Sequence, residues 1–153
     1  MYMPKYYTMV SGEGKAPYAL LAFDNVLRDA GIGDYNLVKV SSILPPNCEY
    51  QNCITIPKGS AVLAAYATIT VADGDIGKTG VAIGIPSSIQ DNGVIFEYST
   101  NNKNENAGSI AEKMCIDALE NRGKTIGSTM KSNKTIKGEK GAFSAAISAV
   151  VMW

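Results

Sequence analysis

Residues 36–46 read Asn-Leu-Val-Lys-Val-Ser-Ser-Ile-Leu-Pro-Pro, and this stretch decides how the chain is expected to fold. Its β-branched and apolar residues predict a strand over residues 35–43, and the double proline that begins at Pro45 ends the strand. Ser41 and Ser42 are unusual there, because two adjacent hydroxyls occupy positions where a buried strand favours apolar side chains.

The serine pair has two explanations. In the first, Ser41 and Ser42 end a strand and form local hydrogen bonds from side chain to backbone. In the second, the Ser42 hydroxyl attacks the Ser41 carbonyl and converts the peptide bond into an ester. β-Elimination then cuts the chain and leaves residue 42 as a pyruvoyl group. The second route needs a distorted peptide held by stiff flanking residues, which Val40 and Pro45 can supply.

The rest of the pattern predicts a mixed α+β protein. Apolar residues at helical spacing predict helices over residues 19–30 and 105–121. Residues 11–17 are rich in glycine and predict a turn. Further strands are expected over residues 6–10, 61–72, 81–85, 94–98, 124–136 and 142–152. This order of elements predicts a single domain, 1–153, built as a mixed β-sandwich with helices on its outer faces in αββα layers.

Composition excludes several classes of function. Lysine plus arginine equals aspartate plus glutamate at 14 each, so neither nucleic acid nor an anionic membrane surface is expected as a partner. The longest apolar run, 61–72, is too short to span a bilayer. Three cysteines without a zinc-type spacing predict neither a disulfide nor a metal site. We therefore expect a protein of the reducing cytoplasm.

The sequence contains no histidine. This excludes nucleophiles activated by histidine and the usual zinc ligands. Acid–base chemistry near neutral pH must then come from a carboxylate, cysteine, tyrosine or lysine.

Two polar residues near the predicted strand are candidates for function. Asp24 is expected at the margin of the apolar face of the first helix, where it either faces a ligand or pairs with Arg28 one turn later. Asn36 is expected on the same strand face as Ser42, and its amide is a possible donor to the Ser41 carbonyl.

Several motifs together resemble a known family. They are Ala22-Phe23-Asp24, Ala30-Gly31-Ile32-Gly33, the stretch 36–46, and Gly93-Val94-Ile95-Phe96-Glu97-Tyr98. In this combination the chain is similar to the pyruvoyl-dependent arginine decarboxylases of archaea and some bacteria, from about residue 10 to its small-residue end.

The resemblance implies an activity, a cofactor and an assembly. Cleavage between Ser41 and Ser42 would give a β chain, 1–41, and an α chain, 42–153, that begins with a covalent pyruvoyl group. This group would form a Schiff base with L-arginine and release carbon dioxide and agmatine, a precursor of polyamines. The family forms a trimer of αβ units, sometimes doubled, with active sites between subunits.

The resemblance also implies residue roles. Asn36 would assist self-cleavage, Glu97 would protonate the substrate carbon, and Asp24 would bind the far end of the substrate. Gly33 and Tyr35 would line the substrate pocket, where the bulk of Tyr35 can change selectivity. Glu97 lies among apolar residues, as a proton donor requires, although an ordinary solvent-facing strand carboxylate fits the same spacing.

Three functional hypotheses therefore remain from the sequence. The chain is a self-processing arginine decarboxylase, a pyruvoyl decarboxylase for another amino acid, or an uncleaved oligomeric binding module without enzymatic activity. Two fragments on a denaturing gel would exclude the third.

Overall fold

A computed structural model describes residues 2–153. Two helices, α1 (Ala19–Asp29) and α2 (Ala107–Asn121), are combined with nine strands. The strands are β1 (Tyr6–Ala16), β2 (Asn36–Lys39), β3 (Ile43–Leu44), β4 (Glu49–Tyr50), β5 (Ala61–Val71), β6 (Ile76–Pro86), β7 (Gly93–Thr100), β8 (Ile126–Lys137) and β9 (Phe143–Met152).

The strands form two sheets that pack face to face, one of mixed and one of antiparallel strand order. The five-stranded sheet has the order β2-β5-β9-β1-β4, and the four-stranded sheet has the order β3-β7-β6-β8. The first sheet is held by the antiparallel ladders of β9 with β1 and β5, whereas β2 and β4 join it in parallel. The second sheet is antiparallel throughout.

Each sheet carries one helix on its outer face, so the predicted αββα layering is confirmed. Helix α1 packs on β1 and β9, and a Cβ added at Gly12 would lie 2.6 Å from the Val26 carbonyl oxygen. Helix α2 packs on β6, β7 and β8 in the same close manner, because a Cβ at Gly80 would lie 2.3 Å from the backbone of Ala107. Glycine is therefore required where the helix backbones touch the sheets.

The core between the sheets is apolar except for the buried hydroxyls of Thr79 and Ser148, which lie 2.9 Å apart. It is formed by buried residues of both sheets, with Val40 packed against its rim: Tyr7, Leu44, Ala65, Val81, Ile83, Ile95, Val150 and Met152. No helix within residues 2–153 combines the length and the hydropathy that a bilayer crossing needs.

The predicted strand over residues 35–43 is confirmed only in part, because residues 40–42 interrupt it. Strand β2 ends at Lys39, the N–H of Val40 still donates to the Ala64 carbonyl at 3.1 Å, and the chain then crosses to the other sheet, where β3 begins at Ile43. The alternation that put Asn36 and Ser42 on one strand face therefore does not hold. The serine pair lies in the crossing between the two sheets.

Two other strand boundaries also differ from the pattern. Strand β1 continues through the glycine-rich residues 11–16, because Gly12 and Gly14 let α1 approach the sheet and do not form a turn. Strand β6 begins at Ile76, five residues before the predicted start at Val81.

Candidate active site

The backbone of Ser42 is left-handed. Its φ is +72°, a conformation that costs a residue other than glycine roughly 1–2 kcal/mol. The surrounding ladders hold it there: Val40 is bonded to β5, and the Ser42 carbonyl accepts from the N–H of Ile95 on β7 at 2.9 Å. The two flanks of Ser41 and Ser42 are thus fixed to different sheets, which holds the strained conformation of Ser42 in place.

The side chain of Ser42 meets a carboxylate. Its hydroxyl donates to Oε2 of Glu97 across 3.1 Å, and both residues are half-buried. Glu97 is 55 residues away in sequence, so this contact depends on the pairing of β3 with β7. Among the predicted site residues, within residues 2–153, only Ser42 and Glu97 are joined to each other by a hydrogen bond.

Strand geometry explains the direction of Glu97. Side chains alternate along β7, so Glu97 shares a face with Ile95, which belongs to the core between the sheets. Glu97 lies opposite Val81 on β6, and Val81 is fully buried. The carboxylate therefore stands at the rim of an apolar layer, next to the crossing that carries Ser42.

Asn36 does not contact Ser42 in this chain. It begins β2, and its side-chain amide donates to the carbonyl of Gly59 at 2.7 Å. Its backbone N–H is also occupied, by the carbonyl of Ser60 at 2.9 Å. Here the amide of Asn36 fixes the approach of the chain to β2.

Asp24 is exposed, which corrects the expected position at the margin of the apolar face. Ala22 and Val26 are fully buried, and a step of two residues is about 200° around a helix, so Asp24 points away from the sheet. The expectation was wrong because it took Leu20, four residues before Asp24, as part of the apolar face, whereas Leu20 is 82% exposed. The ion pair of Asp24 with Arg28 is absent among residues 2–153.

Gly33 and Tyr35 lie beyond the end of α1, next to the five-stranded sheet. A Cβ at Gly33 would lie 2.7 Å from Cγ of Arg28, and these two residues line a cleft of 180 Å³ with Gly31 and Asp34. The Tyr35 ring packs against the core under α1, and its hydroxyl donates to the carbonyl of Ile56 at 3.4 Å. These residues form no hydrogen bond with Ser42 or Glu97 within the described chain.

The helix α1 has an exposed apolar surface beside Asp24. Leu20 is 82% exposed and Leu21 is 46% exposed, and both lie within about one turn of Asp24. Tyr18, at the start of the helix, is 73% exposed. Such a group of large apolar side chains is unusual for a surface that faces only water.

Two of the three thiols are poor nucleophiles. Burial raises the pKa of Cys48 to about 11 and that of Cys115 to about 12, so both are protonated at neutral pH. Cys53 is exposed, and all three thiols are free. In residues 2–153 no cluster of three or more potential ligands could hold a metal ion.

One contact of Ser42 could not be predicted from the sequence, namely the hydrogen bond that the N–H of Ile95 donates to the Ser42 carbonyl. A backbone donor has no residue-type signature, and only the register of β3 on β7 reveals it. The arrangement as a whole joins a strained serine, a carboxylate on its hydroxyl and a buried N–H on its carbonyl.

Comparison with known proteins gives one family. The family described as pyruvoyl-dependent arginine decarboxylase matches residues 6–153. A protein of Methanopyrus kandleri with this name is 35% identical over 153 residues, which covers 100% of the chain and 99% of the relative. Proteins of the same name from Methanococcus vannielii and Pyrococcus horikoshii are 34% and 33% identical, over 94% and 98% of the chain and 89% and 96% of their own lengths.

The left-handed backbone at residue 42 gives a prediction about stability. In urea denaturation, the free energy of unfolding of the Ser42→Gly chain should exceed that of the Ser42→Ala chain by roughly 1 kcal/mol, because glycine adopts this φ without a clash. As a control, Ser99 in the regular part of β7 is replaced by glycine or alanine in the Ser42→Gly chain. There the alanine variant should be the more stable one. Equal stabilities at position 42 would contradict the strained conformation.

Proposed function

The chain belongs to the pyruvoyl-dependent arginine decarboxylase family, and we propose that it cuts itself between Ser41 and Ser42 and then decarboxylates L-arginine to agmatine. The observation that carries this proposal is the hydrogen bond from the Ser42 hydroxyl to Glu97, at a residue whose φ is +72°. The products of cleavage would be a β chain, 1–41, and an α chain, 42–153.

The residues around position 42 fit a pyruvoyl group. Once formed, the group supplies a ketone that condenses with the α-amine of the substrate and withdraws electrons as carbon dioxide leaves. Residue 42 carries the hydroxyl that self-cleavage consumes, and its carbonyl is held by the Ile95 N–H. The carboxylate of Glu97 lies within hydrogen-bond distance of the same residue.

Self-cleavage begins with the Ser42 hydroxyl. The oxygen attacks the Ser41 carbonyl carbon, the peptide C–N bond breaks, and the hydroxyl proton passes in net terms to the released nitrogen. The strained backbone favours this step because the left-handed residue is relieved when its amide bond opens. The hydrogen bond to Glu97 orients the hydroxyl before the attack.

After cleavage residue 42 no longer has the hydroxyl that donated a hydrogen bond to Glu97, and the Glu97 carboxyl group remains beside it. This carboxyl group is then available to deliver a proton at the carbon that has lost carbon dioxide. The apolar residues behind it, Ile95 and Val81, exclude water from that side of the group. This is the general-acid role that we assign to Glu97.

Recognition of arginine requires a second copy of the chain. Helix α1 packs on the five-stranded sheet, whereas Glu97 belongs to the four-stranded sheet, and packed sheets alone are about 10 Å apart. We infer that the exposed face of α1 covers the Ser42 region of a neighbouring copy, which brings Asp24 of one copy to Glu97 of the other. A trimer, single or doubled, closes such contacts in a ring.

In this assembly the carboxylate of Asp24 binds the guanidinium of arginine by two parallel hydrogen bonds. Gly33 and Tyr35 would line the substrate pocket. Asn36, whose amide is bonded to Gly59 within its own chain, would assist cleavage across the contact with a neighbouring copy. Other amino acids should be tested as substrates too, because a residue as large as Tyr35 in the substrate pocket would change its selectivity. The three free thiols suit a reducing, cytoplasmic setting.

The first prediction concerns cleavage. Ser42→Ala should remain one chain, because no hydroxyl is left to attack, whereas Ser41→Ala should still give two chains, since residue 41 contributes its carbonyl and not its hydroxyl. Intact mass spectrometry of the purified proteins measures both. A cleaved Ser42→Ala chain would rule out the proposed mechanism.

The second prediction concerns Glu97. The Glu97→Gln variant should still cleave, because the amide oxygen can accept the hydrogen bond from Ser42, but it cannot donate a carboxylic proton. Turnover of arginine should fall by roughly 10²–10⁴-fold. Release of carbon dioxide from labelled arginine measures the loss, and near-normal turnover would assign the proton to another group.

The third prediction concerns the shared site. The variants Asp24→Asn and Glu97→Gln should each be nearly inactive, and refolding them together in equal amounts should restore activity. In a ring in which each site takes one residue from each of two neighbours, about a quarter of the sites regain both native residues. No recovery in mixed oligomers would mean that Asp24 and Glu97 act within one chain or that Asp24 does not bind substrate.

Ornithine and lysine should be poorer substrates than arginine.

A further inference from the structure

The N–H of Ile95 donates a hydrogen bond to the carbonyl oxygen on which negative charge would develop during the β-elimination, the second step of self-cleavage. This oxygen belongs to Ser42, and the N···O distance is 2.9 Å. Ile95 is fully buried, so the N–H faces no competing water and acts in a medium of low dielectric. From this contact we propose that the Ile95 N–H is the oxyanion donor for the elimination that cuts the chain.

The elimination moves two electron pairs in turn. After the ester has formed, the Cα proton of residue 42 passes to water, and the electron pair of the C–H bond moves onto the Ser42 carbonyl oxygen as an enolate. The enolate collapses, a double bond forms between Cα and Cβ, and the Ser41 carboxylate leaves from Cβ with the electrons of the C–O bond. Water then hydrolyses the imine tautomer of residue 42, so that the nitrogen leaves as ammonia and the ketone oxygen comes from water. The α proton of an amide is a weak acid, so this step needs a donor at the oxygen.

The sheet fixes this donor before the reaction. Strand β7 is paired with β6 over seven residue pairs, from Val94 to Thr100. On its other side β7 pairs with only two residues, Ile43 and Leu44 of β3, and the bond to the Ser42 carbonyl follows directly after them. Residues 43 and 44 lie beyond the cut, so the same bond remains on this carbonyl when the pyruvoyl group has formed. The donor therefore acts on the group's amide carbonyl as well.

The inference rests on the proposed self-cleavage, and its test separates the two. Ile95 is replaced by its α-hydroxy analogue in cell-free translation, which exchanges the N–H for an ester oxygen and keeps the side chain. The control is the same exchange at Ile83, which lies directly opposite Ile95 on β6 and is equally buried. By the alternation of an antiparallel ladder the N–H of Ile83 points to β8, so the control loses one hydrogen bond of the same sheet but none at Ser42.

We expect the Ile95 analogue to cleave about 10²-fold more slowly than the Ile83 analogue, in line with the loss of one oxyanion donor. The Ile95 analogue should accumulate the ester between Ser41 and Ser42, which hydroxylamine splits to release 1–41 as its hydroxamate. Hydroxylamine also splits the ester introduced at residue 95, so mass spectrometry should detect 1–41, 42–94 and 95–153. Equal cleavage rates of the two analogues, without accumulated ester, would overturn the inference. An unmodified chain that never cleaves would instead refute self-cleavage itself.

A second measurement does not depend on the folding of the analogues. In the uncleaved Ser42→Gly chain, the amide of Ile95 should exchange hydrogen as slowly as the amide of Phe96, which points to β6 in the ladder. Slow exchange supports the bond to residue 42. Exchange of Ile95 at the rate of an exposed amide would overturn the inference, because the donor would then be free.

Discussion

The crossing of the chain from one sheet to the other at residues 40–42 is the constraint on which the rest of the site depends. Val40 is still bonded to β5, and Ser42 is already bonded to β7, so one residue, Ser41, spans the change between the sheets. No extended strand can turn so quickly, and the left-handed φ of Ser42 is the result. The same turn directs the Ser42 hydroxyl to Glu97 at the rim of the core.

The strength of the flanking ladders explains why this strain persists. Strand β9 holds the five-stranded sheet through ten residue pairs with β1, and β6 holds β7 through seven. A local cost of about 1–3 kcal/mol is small against such pairing, so the protein keeps the strained residue and does not rearrange around it. The cost is concentrated at the one peptide bond that we propose to break.

The layers of the fold follow from the sequence, but the local path at the serine pair does not. Apolar periodicity located both helices and most strands, because the amphipathic pattern is a direct consequence of burying one face. It failed at residues 40–42, since a β-rich composition continues there while the hydrogen-bond partners change from β5 to β7. It also failed at Asp24, because the pattern cannot distinguish a leucine that packs on its own sheet from one, such as Leu20, that remains exposed. The contact of Ser42 with Glu97 spans 55 residues, so local periodicity could not predict it, and only the resemblance placed both residues in one site.

A cut at the crossing leaves the packing of the protein almost unchanged. The fragment 1–41 contains β1, α1 and β2, which stay bound to β9 and β5 through ladders that the cut does not touch. The fragment from residue 42 onward begins with β3, whose two residues stay paired with β7. A cut inside any ladder would instead release backbone groups that need partners. A cut between the two sheets, as we propose, would therefore keep the new end at residue 42 against Glu97.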